Sequence, residues 1–505
     1  MLGRSSEPNL RDTGGRYSRL MRTAAALLCL VLTLVSPASA QASRPTPAAG
    51  LATVTILHFN DVYEITPIEG GKAGGLARVS NLRARLKARV PNLITTLGGD
   101  YVSPSALGTA RVNGERLAGR QMVAVLNAVG VDWATFGNHE FDISEASLRA
   151  RLAESKFRIV TSNVTDANGA LFPGTVKTAI VPVKTSTGTV RLGLFGLTID
   201  SNKQPWVRYA PALDAARAAV ADLKGKCDAI VALTHLALQD DRELAEQVSD
   251  IDVILGGHEH ENWLIERGPR FTPIVKADSN VRSVALVTLS FPKKGARPVV
   301  TSTLERIDDT VTEGPKAAAE VRKWTDLGFE AFRREGFDPT DVVARIDVTL
   351  YGREAAVRNG PTDLTQLICE AMRREAGTDI AVFNSGSIRI DDVVPPGPVT
   401  QYDVIRVLPF GGKVLKATFA GAVLAHMLLI GEQNKGTGGY LQSVGLPPVI
   451  DPEARYTIAL TDFLLTGGEA NLGFLTRQNP GITDVTELRD VRLALITELK
   501  RRWKP

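Results

Sequence analysis

The chain has 505 residues, which is enough for more than one domain. Its apolar content of 44% and charged content of 23% are those of an ordinary globular protein. Five arginines and two acids in the first 40 residues supply +3 of the formal net charge of +4, so the rest of the chain lacks the basic surplus typical of nucleic-acid-binding proteins.

The first 40 residues have the pattern of a secretory signal peptide. Three arginines, Arg16, Arg19 and Arg22, precede the apolar run TAAALLCLVLTLVS, and SPASA then ends in the Ala-x-Ala spacing of a cleavage site. The apolar run is too short to span a bilayer comfortably. The sequence therefore predicts a signal peptide over residues 1–40 that is removed after Ala40, a periplasmic or secreted location, and no stable membrane anchor.

From residue 51 to about residue 315, strand-like apolar runs alternate with amphipathic helical runs. The strand-like runs, in chain order, are VTILHFN, NLITTLGG, VDWATFGN, VRLGLFGLT, CDAIVALTH and DVILGGH. Helical runs such as GLARVSNLRARLKARV and QMVAVLNAVG lie between them. This alternation predicts a layered α/β domain over residues 51–315 with much parallel strand pairing.

The remainder divides into a connecting segment and a second domain. Residues 316–345 are charged and helix-prone, as the stretch GPKAAAEVRKWTDLGFEAFRREG illustrates, and they form a predicted linker helix region. Residues 346–505 again mix helical runs such as LTQLICEAMRREAG with strand-like runs such as DIAVFN and RYTIALTD. This mixture predicts a second α/β domain.

Polar side chains close five of the predicted strands of the first domain. They are Asp61, Asp100, the pair Asn138 and His139, His235, and the pair His258 and His260. Ligand sites of open α/β sheets lie beyond the carboxyl ends of the strands. A single histidine in such a place is usually a core or loop residue, but five strand ends of this kind predict one cluster at one edge of one sheet.

The residue types of this cluster indicate a metal centre. Carboxylate, imidazole and amide oxygen together suit divalent cations such as Zn, Mn or Fe. Two cations about 3.5–4 Å apart share a bridging carboxylate and clamp both ends of an in-line phosphoryl displacement. Asp100 is the natural bridge, so the sequence predicts two divalent metal ions, Zn, Mn or similar.

The blocks NDVYE, GGD, GNHEFD, THL and GGHEH, in this order, resemble the five blocks of the calcineurin-like dinuclear metallophosphoesterases. With its second domain, the chain is similar over nearly all of its mature length to the secreted 5′-nucleotidase family, which also includes cyclic-nucleotide phosphodiesterases and UDP-sugar hydrolases. The resemblance implies an α/β metallophosphoesterase sandwich over residues 51–315 and an α/β substrate-binding domain over residues 346–505.

The resemblance also implies a role for each residue of the cluster. The first metal would be held by Asp61 and His260 with Asp100 bridging, and the second by Asn138, His235 and His258. His139 would contact the substrate phosphate, oriented by Asp142, and would stabilise charge or protonate the leaving oxygen. A metal-bound hydroxide would attack the phosphorus.

One position departs from the family pattern, because Tyr63 stands where a histidine usually binds the first metal. The tyrosine is a phenolate ligand that favours a harder ion such as ferric iron, or a group that orients a water in the vacant position, or a residue that only packs. A neutral phenol is a poor ligand, and its ordinary pKa is about 10. We therefore favour the vacant position and expect a weakly held first metal. Glu64 is an alternative ligand, although adjacent strand residues point to opposite faces.

The second domain carries the candidate substrate residues. FNSGSIR resembles the family's Asn-Gly-Gly-x-x-Arg block, which implies that Asn384 and Arg389 contact substrate. Phe410 in LPFGG and Phe463 in TDFLLTGGEANLGF lie beside glycine turns where the family stacks a base between two aromatic rings. Isolated phenylalanines more often belong to a core, but the matching blocks favour stacking here. Further candidates are Glu469, where the family often has aspartate, and Arg358.

These features imply hydrolysis of phosphate esters, most directly of 5′-nucleotides to nucleosides and phosphate. The alternatives are a phosphatase or cyclic phosphodiesterase for another metabolite such as a sugar phosphate, the sulfur-oxidising thiosulfohydrolase branch of the family, and an inactive binding protein. The pair His139 and Asp142 argues against an inactive protein, and the two phenylalanines favour a base over a sugar. We expect a small phosphate ester as partner, no nucleic acid, and a monomer or weak oligomer.

Overall fold

The structure, a computed structural model of the protein, describes residues 52–504. The predicted signal peptide, residues 1–40, lies outside the described residues. The described residues belong to one compact unit. In this part of the chain, no helix combines the length and the apolar character needed to cross a membrane.

The part of the chain up to residue 306 is built mainly of strands. In chain order they are β1 (Ala52–Phe59), β2 (Ile94–Leu97), β3 (Arg111–Val112), β4 (Glu115–Arg116), β5 (Trp133–Ala134), β6 (Arg158–Val160), β7 (Val164–Asp166), β8 (Thr175–Val176), β9 (Thr178–Thr185), β10 (Gly188–Thr198), β11 (Val207–Tyr209), β12 (Ala229–His235), β13 (Val253–Gly256), β14 (Trp263–Arg267), β15 (Thr272–Lys276), β16 (Ser283–Phe291) and β17 (Val299–Arg306). The helices of this part are α1 (Leu76–Arg89), α2 (Ala106–Thr109), α3 (Arg120–Val129), α4 (Glu145–Glu154), α5 (Ala212–Leu223) and α6 (Leu238–Gln247).

Most of these strands form two sheets. The first has seven strands in the order β17-β16-β1-β2-β5-β6-β8, and the second has six in the order β14-β15-β13-β12-β10-β9. Pairing is parallel from β1 through β2, β5 and β6 to β8 and from β10 through β12 and β13 to β15, and antiparallel at the remaining pairs. The predicted α/β sandwich with much parallel pairing is therefore confirmed.

The inner faces of the two sheets share one core, because side chains alternate between the faces of a strand. Val54 and Ile56 of β1 pack in the same buried cluster as Leu192 of β10 and Val231 of β12. The other side chains of β1, such as Leu57, pack in a separate buried cluster with α1 and α3. Helices α5 and α6 cover the outer face of the second sheet.

The C-terminal part begins with a helix and adds a third substantial sheet. Its helices are α7 (Pro315–Arg334), α8 (Glu354–Val357), α9 (Asp363–Ala376), α10 (Gln401–Val407), α11 (Gly421–Gln433) and α12 (Val491–Arg502). Its strands are β18 (Val342–Ile346), β19 (Leu350–Tyr351), β20 (Ile380–Asn384), β21 (Val393–Val394), β22 (Gly397–Thr400), β23 (Lys413–Ala420), β24 (Leu441–Val444), β25 (Arg455–Thr461) and β26 (Ile482–Asp490). Short 3-10 helices of the described residues cover Glu69–Gly71, His139–Phe141, Ser279–Val281, Ser385–Ser387 and Asp462–Leu465.

The five-stranded sheet of this part has the order β24-β20-β25-β23-β26. Helix α9 packs against it and has clear local signals at both ends: the Thr362 side chain accepts a hydrogen bond from the backbone N–H of Thr365, and Gly377 ends the helix with a φ of 57°. The predicted linker of residues 316–345 is helical only as far as Arg334. Its last residues belong to β18, which pairs antiparallel with β22 of the C-terminal part.

A buried ion-pair network joins the N-terminal and C-terminal parts. The hydroxyl of Tyr402 donates to Glu64 Oε2 at 3.3 Å, and Arg406 Nε lies 3.5 Å from Glu64 Oε1. Arg406 also donates to Asp392 Oδ2 at 2.9 Å. Glu64 is therefore committed to this contact, and the geometry does not support its use as a substitute metal ligand.

Candidate metal centre and substrate pocket

The loops that follow five strands meet at one place. Three of these strands, β1, β2 and β5, belong to the seven-stranded sheet, and two, β12 and β13, belong to the six-stranded sheet. The expectation of one edge of one sheet is therefore wrong: the centre lies where the carboxyl ends of two packed sheets meet. The strand-end residues brought together there are Asp61, Asp100, Asn138, His139, His235, His258 and His260.

His58 ties the two sheets together beneath this centre. Its Nδ1 lies 2.9 Å from the Thr96 hydroxyl on β2, and its Nε2 lies 2.9 Å from the Gly256 carbonyl on β13. Burial lowers the pKa of His58 to about 4. The ring is thus a neutral cross-link that fixes the spacing of the strands.

Asp61, Asp100 and His235 form the tight part of the cluster. One ligand atom from each lies within 4.8 Å of the others, and all three side chains are buried. His235 Nε2 is 3.2 Å from Asp100 Oδ2 and 4.0 Å from Asp61 Oδ1. On the other side, His260 Nε2 is 3.6 Å from Asp61 Oδ1. These separations suit atoms that share a cation about 2.0–2.2 Å from each.

The backbone is bent to deliver these side chains. Asp61, Asp100 and His258 have φ values of 52°, 54° and 80°, a left-handed region that residues other than glycine rarely adopt. A Cβ on Gly137 would lie 2.1 Å from Asp100 Oδ1, so only glycine lets that backbone approach the carboxylate. Close contact with neighbouring atoms therefore explains why the GGD and GN motifs contain glycine.

Two buried polar atoms point to a ligand that the protein chain does not supply. Within residues 52–504, neither Asn138 Oδ1 nor His235 Nε2 has a hydrogen-bond partner of good geometry. His235 Nδ1 lies 2.7 Å from the Gly98 carbonyl, so Nδ1 keeps a proton and Nε2 is the nitrogen that faces the cluster. An amide oxygen and an imidazole nitrogen without hydrogen-bond partners, beside two carboxylates, are the ligand atoms that a divalent cation prefers. The residues present therefore fit a metal centre.

The charges of the cluster are strongly coupled. Burial alone would raise the pKa of Asp100, but His235 and His139 hold it well below its ordinary value. Burial opposes protonation of His235, yet Asp100 and Asp61 raise its pKa to about 9. Burial and His235 lower the pKa of His258 to about 3. Two carboxylates therefore hold a proton on a neighbouring imidazole, and a cation would displace it.

Tyr63 faces the cluster rather than the core. Its hydroxyl lies 3.2 Å from Asp61 Oδ1, 3.3 Å from Asp100 Oδ2 and 3.0 Å from His260 Nε2. Burial, Asp61 and Asp100 raise the pKa of Tyr63 well above its ordinary value. The interpretation that Tyr63 only packs is therefore not supported: its phenol is a polar neighbour of three predicted ligands.

His139 lies at the rim of the cluster and is held by Asp142. His139 Nδ1 is 2.7 Å from Asp142 Oδ2, which also accepts a hydrogen bond from the Ser103 hydroxyl at 2.9 Å. Asn202 donates to the other oxygen of Asp142 at 2.8 Å. Burial lowers the pKa of His139, but Asp100 and Asp142 raise it further, with a net shift above the ordinary value. A positioned imidazole that favours its charged form suits an anionic group.

Glu140 positions the loops around the centre, a role that was not predicted from the sequence. Its carboxylate accepts hydrogen bonds from the backbone N–H groups of Asp100 at 2.9 Å and Tyr101 at 2.7 Å, and also from that of Gly137. Burial and Asp100 raise the pKa of Glu140 to about 7. This side chain locks the loop after β2 to the loop after β5. The only sequence signal was its place inside GNHEFD, between the two predicted catalytic residues.

Five of the six predicted substrate residues of the C-terminal part line one cavity of about 490 Å³: Asn384, Arg389, Phe410, Phe463 and Glu469. The rings of Phe410 and Phe463 are 48% and 44% exposed there, far more than core phenylalanines such as Phe419. Asn384 Nδ2 donates to Glu469 Oε2 at 2.7 Å, and the Arg389 guanidinium lies 5.6 Å from the centre of the Phe410 ring. The cavity thus combines two exposed aromatic faces with polar and cationic groups.

Arg358 lies outside this cavity. It pairs with Glu354 and lines a separate cleft with His258 and His260. Arg389, in turn, lies two residues before Asp391, whose Oδ2 is 2.9 Å from Nδ1 of His260. Both arginines therefore lie on the side of the C-terminal part that faces the metal centre, which suits an anionic group held between the two parts.

The comparisons with known proteins agree with this division of the chain. Residues 54–262 match the calcineurin-like phosphoesterase family, and residues 342–453 match the 5′-nucleotidase C-terminal domain. The human 5′-nucleotidase is 26% identical over 462 residues, which cover 80% of this chain and 76% of the human protein.

Further similarities differ in what they cover. The trifunctional nucleotide phosphoesterase protein YfkN of Bacillus subtilis is 27% identical over 78% of this chain, but the match spans only 28% of that longer protein. The crystal structure of a 5′-nucleotidase precursor from Thermus thermophilus superposes with a TM-score of 0.74 at 24% identity, over 89% of this chain and 97% of that one. A sulfate thiohydrolase from the same species has a TM-score of 0.67 at 18% identity, over 90% and 95% of the chains. These two structural likenesses concern the fold.

Proposed function

The chain belongs to the 5′-nucleotidase family, with a calcineurin-like phosphoesterase domain ahead of a 5′-nucleotidase C-terminal domain, and on this premise we propose that it hydrolyses 5′-nucleotides to nucleosides and phosphate. The observation that carries the proposal is the pairing of two sites. A cavity with two exposed aromatic rings contains Arg389, and Asp391, two residues further along the chain, lies 2.9 Å from His260 of the metal centre. We also propose that this activity lies outside the cytoplasm, because residues 1–40 have the sequence pattern of a signal peptide.

We assign the cluster to two divalent cations, with Zn and Mn as the first candidates. Asp61, Asp100 and His260 would hold one, and Asp100, Asn138, His235 and His258 the other. The cations would supply Lewis acidity toward the phosphoryl oxygens and lower the pKa of the attacking water. The orphaned Asn138 Oδ1 and His235 Nε2 support this assignment.

His139 is proposed to act on the reacting phosphate rather than as a ligand. Its contact with Asp142 fixes the ring, and the Asp142 carboxylate favours the charged form of the imidazole. A charged imidazole at this place stabilises negative charge on the phosphoryl group and can pass its proton to the leaving ribose oxygen. Asp142 is held in turn by Ser103 and Asn202, so the orientation of the pair does not depend on substrate.

The cavity of the C-terminal part is proposed to bind the nucleoside. Phe410 and Phe463 would stack on the base, and stacking on an aromatic face is worth about 1–3 kcal/mol per base. Asn384 and Glu469 would form hydrogen bonds with the sugar or the base. Arg389 and Arg358 would contact the phosphate side through charge-assisted hydrogen bonds.

A substrate panel tests this proposal directly. The mature protein, loaded with Mn²⁺ or Zn²⁺, should release phosphate from nucleoside 5′-monophosphates faster than from a sugar phosphate or glycerol phosphate. Asp100→Asn serves as the control for contaminating phosphatase. Faster release from a base-free ester would favour the alternative metabolite phosphatase, and cleavage of a 2′,3′-cyclic nucleotide without monophosphate hydrolysis would favour a phosphodiesterase. Hydrolysis of a protein-bound thiosulfonate alone would assign the thiosulfohydrolase branch and overturn the proposal.

A further inference from the structure

The imidazole of His260 spans the boundary between the metal centre and the C-terminal part. Its Nε2 faces the cluster, 3.0 Å from the Tyr63 hydroxyl and 3.6 Å from Asp61 Oδ1. Its Nδ1 faces the other way, 2.9 Å from Asp391 Oδ2 and 3.6 Å from Glu354 Oε2. One ring therefore contacts both parts of the chain.

Asp391 is fixed in place by contacts of its own. Its Oδ2 accepts a hydrogen bond from the Ser279 hydroxyl at 2.8 Å, and its Oδ1 accepts one from the backbone N–H of Glu354 at 3.0 Å. Arg282 Nη2 lies 3.9 Å from the same carboxylate. The residue is buried and has a φ of 37°, a conformation that aspartate and asparagine adopt more readily than most residues. This carboxylate is built into the boundary and is not a mobile surface group.

The orientation of His260 requires a partner for Nδ1. An imidazole that offers the lone pair of Nε2 to a cation carries its proton on Nδ1, and metal-binding histidines usually direct that N–H to a carboxylate or a carbonyl. In the described chain, Nδ1 of His260 makes no well-aligned hydrogen bond, and the Asp391 carboxylate is its nearest acceptor. We propose that Asp391 is the positioning residue that holds His260 as a ligand of the first metal site, so that this site is complete only when the C-terminal part supplies its carboxylate.

The corresponding contact of His235 at the second metal site stays within the N-terminal part. His235 directs its Nδ1 to the Gly98 carbonyl, which belongs to the N-terminal part, and the backbone N–H of His258 donates to Asp61. We therefore expect an asymmetry: loss of the Asp391 carboxylate weakens the first site and leaves the His235 contact of the second unchanged.

This arrangement also couples metal binding to substrate binding. Asp391 lies two residues after Arg389, which we assign to the phosphate side of the substrate. Any movement that withdraws this turn from the N-terminal part removes the partner of His260 together with the substrate arginine. By reciprocity, a cation at the first site stabilises the arrangement of the two parts seen here.

The test compares Asp391→Asn with Asp392→Asn in the full mature chain. Asp392 is the matched control, because it is a buried carboxylate in the same turn that pairs with Arg406 and does not contact His260. Metal-free protein is titrated with Mn²⁺ alone by calorimetry, and metal content is measured after dialysis. Loss of the carboxylate partner of a ligating histidine typically costs about 10–100-fold in metal affinity. We expect Asp391→Asn to weaken one of two Mn²⁺ sites by about that factor and the other by less than about twofold, and Asp392→Asn to weaken neither selectively.

A double-mutant cycle shows whether Asp391 acts through His260. In a His260→Gln background, which lacks the Nδ1–H, Asp391→Asn should have no further effect on Mn²⁺ affinity. An undiminished effect in that background, an equal loss at both sites, or unchanged affinity at both would overturn the inference. Thermal unfolding in chelator identifies a variant that is merely misfolded, and the Asp391→Glu variant then repeats the comparison with the charge retained.

The inference rests on the metal centre of the proposed function, but the two fail differently. If the wild-type chain binds no Mn²⁺ or Zn²⁺, the proposed function is overturned together with it. If the wild type binds two ions and releases phosphate while Asp391→Asn is indistinguishable from it, only the role of Asp391 is wrong.

Discussion

The hydroxyl of Tyr63 lies 3.0 Å from Nε2 of His260, on the face of the imidazole that is turned toward the metal centre. The same hydroxyl lies within 3.3 Å of Asp61 and Asp100. A residue at the position where the family has a histidine ligand is thus in hydrogen-bonding contact with every other predicted ligand of the first metal.

We predict that the first metal is the more weakly held of the two and that Tyr63→His increases its retention. Burial and two neighbouring carboxylates disfavour the phenolate, and a neutral phenol donates poorly to Zn or Mn. An imidazole at this place would add a nitrogen ligand. Metal content after stepwise dialysis measures the effect, with Tyr63→Phe as the control. A purple or pink wild-type preparation that bleaches in Tyr63→Phe would instead identify a ferric–phenolate pair.

Asp100→Asn should abolish phosphate release almost entirely, and removal of metal with a chelator should do the same to the wild type. The carboxylate is predicted to bridge both cations, so an amide in its place weakens both sites together. Activity should return when Mn, Co or Zn is added to the chelated wild type but not to the variant. Asp222→Asn, which changes a half-exposed acid that pairs with Lys226 and is not a predicted ligand, is the control. Full activity after exhaustive metal removal would contradict the dinuclear assignment.

His139→Ala should lower kcat by about 10²–10³-fold, the usual cost of one catalytic electrostatic donor. Metal content should stay at the wild-type level, because the ring is assigned to the substrate phosphate and not to a cation. Asn138→Ala is the informative neighbour: it should lose metal as well as activity. Metal loss in His139→Ala that follows its loss of activity would show that His139 is a ligand.

Phe410→Ala and Phe463→Ala should each raise KM for a nucleotide by about tenfold or more, since each ring contributes stacking worth about 1–3 kcal/mol. Hydrolysis of p-nitrophenyl phosphate, which has no base, should change little. Phe271→Ala, at a ring that is 71% exposed and outside the cavity, should alter neither substrate. Equal losses on both substrates would indicate damage to the fold.

Arg406→Met should destabilise the protein by roughly 3–5 kcal/mol, because it leaves the carboxylates of Glu64 and Asp392 buried without their cation. Arg353→Met removes a half-exposed pair with Glu69 and should cost no more than about 1 kcal/mol. Urea unfolding followed by circular dichroism measures both. Similar losses in the two variants would mean that the buried network contributes little to the contact between the parts.

Much of the fold and most of the candidate centre could be predicted from the sequence. The apolar runs of β1, β2, β10, β12 and β13 are local patterns, and so is the abrupt change from apolar to polar residues at the end of each strand. The glycines beside Asp100 and Asn138 signal tight turns for the same local reason. Such signals survive in a single sequence because they depend on neighbours along the chain.

The rest depends on contacts between residues that are distant in sequence. The hydrophobic pattern does not show that β12 and β13 belong to a different sheet from β1, because parallel strands of two packed sheets have the same apolar pattern. The pairing of β18 with β22 is a similar case, because the local composition of residues 342–346 does not indicate which strand they pair with.

The residue types that close the strands, and with them the chemistry that the centre can support, follow from the local sequence. The surroundings of these residues depend on the three-dimensional packing: Glu140 joins two loops, Glu64 pairs with Arg406, and Asp391 contacts His260 from a distant part of the chain. These contacts depend on how two sheets and a C-terminal part pack together. A buried carboxylate is stabilised by the imidazole or guanidinium that it contacts in space. The residues next to the carboxylate in the chain do not indicate which partner that is.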